Sequence, residues 1–370
     1  MSSFIHKNRI KKQDARRRPK RVSLIFTEKI GKILIPVLLI LPMLLCGCTG
    51  SASETATSYA YVMDTQMTQQ WYGEKAEETC QQIEAAMQEL EGQISLYRED
   101  SEISKINAAA GKEYVQVSDT VYDLIKRTKE LSEESGGVFD LTIAPLSILW
   151  DVTGESPKVP SDQEIAKAQS KIDYRKVLLN EEERSVMLAE EGMMLDLGGS
   201  AKGMAAGLMR DIAETNGSQG YVSIGGNVLV VGKKPNGDDI EVGLRDVLGE
   251  QNDYYAILRM DGYTMATSSA SDRYFEQDGV RYHHILDPFT GYPGESDLLS
   301  VGVVSEDGLL ADTLSTTIFL KGSECLAEYM NRNDCMVIAV TQDREVVASE
   351  KLWDMLTVTD TQTYTFLKDQ

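Results

Sequence analysis

The chain has 370 residues, with 37 lysines and arginines against 58 aspartates and glutamates and a formal charge of −21. Residues 1–32 hold eleven of the basic residues and two of the acidic ones, which leaves 26 basic against 56 acidic residues, near −30, for the remainder. Such a surface argues against nucleic acid as a partner, and a negative substrate would need a local positive group or a divalent cation at its site.

The basic leader runs into an apolar stretch at 33–45, interrupted by Pro36 and Pro42. It is shorter than the roughly 20 residues of a membrane span and fits the core of a signal peptide covering 1–47. Leu45-Cys46-Gly47-Cys48 reads as a bacterial lipobox, with cleavage before Cys48 and lipid on its thiol; an uncleaved N-terminal anchor is the alternative. Both place the rest on the extracytoplasmic face of the cell membrane. Residues 48–58 then read as lipidated N-terminus and tether, 59–360 as one domain, and 361–370 as a C-terminal tail. Beyond Cys48, Cys80, Cys325 and Cys335 allow at most one disulfide, with no zinc-like spacing; Cys80, at an apolar helical position, reads as a buried thiol.

Residues 59–72 alternate loosely and suggest a first strand. Residues 74–95 form the clearest helix, with Ala76, Cys80, Ile83, Met87, Leu90 and Ile94 on one face. Tyr97 opens a polar loop that leads into a short helix. Ser118 is a good N-cap for a helix carrying Val121, Leu124, Ile125, Thr128 and Leu131, which stops at Gly136-Gly137. A third helix is expected at 162–172, followed by short strands near Val177 and Val186.

Met193-Met194-Leu195 reads as the end of a buried strand. Asp196-Leu197-Gly198-Gly199-Ser200-Ala201-Lys202-Gly203 then turns into a helix. That geometry aims backbone N–H groups and the positive helix end at one spot, which suits a phosphate. A plain turn that needs glycine for positive φ fits the same residues. It is not a P-loop, because Gly203 stands where the magnesium-binding hydroxyl would be. Residues 220–232 suggest a strand with Gly225-Gly226-Asn227 at a bulge or close approach.

Further strands are expected near 240–245, 255–260, 264–268 and 298–304, around His283-His284, and near 336–340 and 345–348. A helix at 309–320 puts Asp312, Ser315 and Thr316 on one face. One carboxylate and two hydroxyls make an oxygen set suited to a hard cation such as magnesium, or they serve helix-end hydrogen bonding. His283 and His284 are the only histidines after the leader and offer acid/base chemistry near neutral pH, although a histidine at a strand end can equally be structural. Short turns and alternating patterns favour an α+β fold, a single mostly antiparallel-sheet domain with packed helices.

Several of these stretches, in this order, resemble the ApbE family, the FAD:protein FMN transferases. They are Met63-Asp64-Thr65, Tyr97 to Ser104, Gly137 to Pro145, Asp196 to Gly203, Ser223-Ile224-Gly225-Gly226-Asn227, His284 to Pro293 and Ala311-Asp312-Thr313-Leu314-Ser315-Thr316. The resemblance implies a lipoprotein that takes FAD, splits its pyrophosphate with Mg²⁺ (Mn²⁺ being an alternative), joins FMN to a threonine or serine of an extracytoplasmic acceptor protein, and releases AMP. By motif position it implies metal ligation by Asp312, Thr316, Ser315 and the Gly199 carbonyl. It implies FAD contacts at Met63, Tyr97, Val138, Phe139, Asp140, Asp196, Lys202 and Leu286, and catalysis at His284 with Asp312. Asp64 departs from the family, which usually has glycine there, and so does Ser200, where a larger residue is usual. An FAD pyrophosphatase, or a lipoprotein that only binds flavin, would fit much of the same pattern. The tyrosine at position 97 favours transfer.

Overall fold

The computed structural model describes residues 54–250 and 252–368. The expected signal peptide, the lipobox and Cys48 lie outside the described residues. The described part begins with a hairpin of β1 (Thr55–Val62) and β2 (Thr65–Tyr72), then α1 (Ala76–Ile94) and α2 (Glu102–Ala108). Next come β3 (Val115–Gln116), α3 (Asp119–Glu134), α4 (Ala144–Trp150), α5 (Asp162–Gln169), β4 (Val177–Asn180) and β5 (Ser185–Leu188). Then α6 (Ala201–Asn216) leads to β6 (Gln219–Ile224), β7 (Asn227–Val231), β8 (Glu241–Arg245), β9 (Tyr254–Arg259) and β10 (Thr264–Ser269). After these follow β11 (Tyr274–Gln277), β12 (Val280–His283), β13 (Leu298–Ser305), α7 (Gly308–Lys321) and α8 (Leu326–Met330). The chain closes with β14 (Met336–Thr341), β15 (Glu345–Ala348), α9 (Glu350–Trp353), β16 (Leu356–Val358) and β17 (Thr365–Leu367).

The main sheet has nine strands in the order β1-β2-β6-β7-β10-β13-β14-β15-β17. Every pairing in it is antiparallel except β15 with β17. One face carries Leu229, Ala266, Val301, Val303, Val337 and Ala339 into a core shared with α1, α6 and α7. The opposite face sends Val230, Met265, Val304, Ile338 and Val340 into a second core. That core is closed by a small sheet of order β16-β9-β8. Strands covered on both faces need apolar residues at every position, hence the unbroken Met336-Val337-Ile338-Ala339-Val340 run.

Local signals explain the helix boundaries. The Ser118 hydroxyl accepts from Val121 N, and Ser161 and Glu164 form a reciprocal cap at the start of α5. Five sequence expectations need correction. The first strand is a hairpin, because Met63 and Asp64 adopt φ of 53° and 54° and reverse the chain. Gly225 and Gly226 likewise form a turn between β6 and β7, not a bulge within one strand. Residues 55–58, expected in the tether, belong to β1 and pair with β2. Within the tail expected at 361–370, Thr365–Leu367 form β17 and Tyr364 buries its ring. Met194 makes a single bridge to Ile143 and the strand expected there does not extend. Cys80, Cys325 and Cys335 are free thiols, the first and last of them buried.

Candidate active site

A cleft of about 830 Å³ opens where several loops and strand ends meet. Its lining includes Met63, Tyr97, Val138, Phe139, Asp140, Asp196, Gly199, Lys202, His284, Leu286, Asp312 and Thr316. The fold therefore brings together residues spread over most of the chain. Ser315 does not line it; its hydroxyl donates to Asp312 O at 2.9 Å and lies 2.8 Å from Ser268 Oγ.

The floor is the crossing of α6 and α7. Gly203 has no room for a side chain: a Cβ there would come within 2.3 Å of Gly308 O and 2.8 Å of Asp312 Cβ. Neither Gly198, Gly199 nor Gly203 has positive φ, so close approach, not turn conformation, is what these positions require. A Cβ on Gly199 would stand 2.9 Å from the Phe139 ring. The contact lets Asp312 Oδ2 accept from Gly203 N at 2.9 Å. The anion held at the start of α6 is thus the protein's own carboxylate, which departs from the phosphate cradle suggested by the glycine turn. Lys202 Nζ lies 4.0 Å from the same oxygen and donates to Gly198 O at 2.9 Å. Among the described residues Asp312 Oδ1 accepts no hydrogen bond and is left for another ligand.

The two histidines separate cleanly. His283 is buried; a carbonyl can only accept, so its Nε2 carries the proton donated to Gly294 O at 3.0 Å. Its Nδ1 accepts from Ile285 N at 3.2 Å, which leaves no ring atom for chemistry. His284 holds Arg273 O through its backbone N at 3.0 Å, and its Nδ1 lies 3.3 Å from the same oxygen. That contact puts the proton on Nδ1 and the lone pair on Nε2. Desolvation, then the positive charges of Arg273 and Lys202, lower its pKa to about 4. At neutral pH His284 is an uncharged imidazole able to take a proton.

Other groups are more constrained. Burial raises the pKa of Asp140 against the hydrogen bonds it accepts from Thr142 and Tyr174, so this carboxylate shapes its loop. Asp196 Oδ1 accepts from Gly198 N at 2.9 Å and stiffens the glycine turn. Tyr97 stands at the cleft 67% exposed, an unusual display for an aromatic ring. Partial desolvation and the carboxylates of Asp196, Asp151 and Asp64 raise its phenol pKa, so it stays protonated. Leu286 is buried beside Leu146, Trp150 and Ile165.

A match to the ApbE family spans residues 63–340. The chain belongs to the ApbE family. It is 36% identical over 259 residues to a FAD:protein FMN transferase of Klebsiella pneumoniae, covering 69% of this chain and 80% of that protein. It is 31% identical over 299 residues to one of Treponema pallidum, covering 76% and 82%. The crystal structure of the ApbE protein of Thermotoga maritima superimposes with a TM-score of 0.76 at 31% identity, over 82% of this chain and 99% of that one. The apo form of the Pseudomonas stutzeri flavinyl transferase ApbE gives 0.72 at 28% identity, over 82% and 97%.

Within this ApbE chain, sequence reasoning missed three participants. Ser268 Oγ lies 2.8 Å from Ser315 Oγ and 3.2 Å from Thr316 Oγ1, and so sets the α7 hydroxyls. Arg273 orients His284 through its carbonyl. Asp272, beside it, pairs with Arg245 of β8. Their only sequence signal was a polar run at the end of a strand, and the partners of Ser268 and Asp272 lie 47 and 27 residues away. Cleft acids (Asp64, Glu91, Asp140, Asp151, Asp196, Asp272 and Asp312) outnumber its bases, Lys202, Arg245 and Arg273. Among the described residues no cluster of three His, Cys, Asp or Glu side chains could hold a metal. Asp312 with its open oxygen, the Thr316 hydroxyl and the Gly199 carbonyl are hard oxygen donors lining one cleft, which fits a magnesium-type ion.

Proposed function

We propose that this chain is a FAD:protein FMN transferase that joins FMN to a threonine or serine of an acceptor protein and releases AMP. The observation that carries it is His284, with Nε2 free, sharing a cleft with Lys202, Asp312 and Thr316. The acceptor oxygen attacks the FMN phosphorus. The bridging P–O bond breaks, and its electron pair leaves on the AMP phosphate. His284 Nε2 takes the hydroxyl proton, a role worth ~10²–10⁴-fold in typical enzymes. Lys202 offers positive charge to the pyrophosphate, and Tyr97 offers a ring face for the flavin to stack on. Asp312, Thr316 and the Gly199 carbonyl would hold Mg²⁺, with Mn²⁺ an acceptable replacement, and Ser315 would position the set from behind. When bound, the ion neutralises oxygens of a doubly negative pyrophosphate in an acid-rich cleft.

The leader and Leu45-Cys46-Gly47-Cys48 support a lipid anchor on Cys48 and a place on the extracytoplasmic face of the cell membrane. The deciding experiment incubates the protein with FAD, Mg²⁺ and candidate acceptor proteins and reads intact mass and AMP. Mass gain with AMP release, both lost on chelation, is the expected result. AMP without mass gain identifies a pyrophosphatase, and neither identifies a flavin-binding lipoprotein.

A further inference from the structure

An acceptor hydroxyl can reach the cleft only on a segment of protein that enters it, and one wall of the cleft is an open sheet edge. Among the described residues strand β8 pairs with β9 alone, at the end of the order β16-β9-β8. The bonds made by β9 show which β8 groups are free. Arg259 N donates to Met355 O at 2.9 Å, and Tyr255 O accepts from Thr359 N at 3.1 Å, both on the β16 side. Backbone direction alternates along a strand, so Tyr255, Ile257 and Arg259 face β16 while Ala256 and Leu258 face β8. Ala256 and Leu258 stand opposite Leu244 and Val242. Glu241 and Gly243, opposite Arg259 and Ile257, therefore turn their N–H and C=O groups to the open side. Both are exposed, and Gly243 has no side chain to obstruct an incoming backbone.

The same strand is tied to the reactive end of the cleft. Val242, Gly243, Leu244 and Arg245 line it. Arg245 pairs with Asp272, and the next carbonyl, that of Arg273, holds His284. We propose that β8 receives an extended segment of the acceptor protein by strand addition, which delivers the receiving hydroxyl to His284. The segment would lie about 4.8 Å from β8 and bond to Glu241 and Gly243 through alternate residues. The inference rests on the transferase reading.

The test uses the protein that gains FMN in the assay above and a peptide of about a dozen residues around its modified hydroxyl, long enough to cover β8. Each backbone nitrogen of the peptide is methylated in turn, and FMN gain is measured with the full enzyme. Methylation at alternate positions should lower kcat/KM about tenfold or more, with the positions between little changed. In the enzyme, Glu241→Pro, at the first position of an edge strand where proline is tolerated, should raise KM for the peptide. Equal tolerance at all positions, or loss without a period of two, overturns strand addition while transfer itself stands. If neither protein nor unmethylated peptide gains FMN, the transferase reading falls and takes this one with it.

Discussion

At the scale of single residues, the site depends on what holds each side chain. His283 and His284 are neighbours in sequence, yet one has both ring nitrogens engaged and the other has Nε2 free. The lowered pKa of His284, about 4, sets a pH expectation. Protonation removes the lone pair, so transfer should hold as pH falls from neutral and drop only as pH approaches that value. An acid limb in the kcat/KM profile, which reports the free enzyme, near the ordinary histidine value, about 6.5, would sink this reading. Tyr97 and Lys202 should separate by product. Tyr97→Asn should weaken FAD binding and shift product from flavinylated protein to free FMN, since the exposed ring would no longer shield the phosphorus from water. Lys202→Ala should slow both products together, because it acts on the pyrophosphate they share. Equal loss of both products in the Tyr97 variant would remove its proposed role.

Among the elements, the decisive contact is α6 against α7. Small residues, Gly203 and Ala206 on one helix and Gly308 on the other, allow the backbones to touch. The contact is what brings Asp312 to Gly203 N. Gly203→Ala would gain helix propensity but overpack this crossing, at a cost of about 1–3 kcal/mol. Thermal unfolding should show a lower Tm, and FAD turnover should fall further than stability explains because Asp312 is displaced. A variant of unchanged Tm and full turnover would show that the helices can part at no cost. The Met63-Asp64 turn is a second point of stored strain, two non-glycine residues in the left-handed region beside the cleft.

For the molecule as a whole, the sheet edge matters to where the chain can be cut. Strand β1 pairs with β2 along its whole length, Ser58 Oγ donates to Glu84, and Gly73 N donates to Glu54 O at 2.9 Å. A soluble chain that begins at Glu54 should keep its Tm and FAD turnover. Beginning at Ser58 should lower the Tm, since Thr55, Ala56 and Thr57 leave the sheet. Equal melting of the two chains would mean that the start of β1 contributes nothing to the fold.

Much of this was legible in the sequence because it rests on local chemistry. The apolar face of α1, the Ser118 cap and the antiparallel class follow from periodicity and side-chain hydrogen bonding over a few residues. The Asp312, Ser315 and Thr316 spacing follows from helix geometry, and the order of motifs along the chain carried the family. Turn points were less legible, because Met63-Asp64 lacks the glycine that marks a tight reversal and Gly225-Gly226 fits a bulge as well as a turn. What the sequence could not contain is which neighbours meet across the chain. Asp312 occupies the helix start that the glycine turn seemed to reserve for phosphate, Ser268 takes up the Ser315 hydroxyl, and Arg273 sets the His284 tautomer. The first two pairs lie 109 and 47 residues apart and the third faces across a hairpin, and only packing of sheet and helices decides which donor each buried acceptor meets.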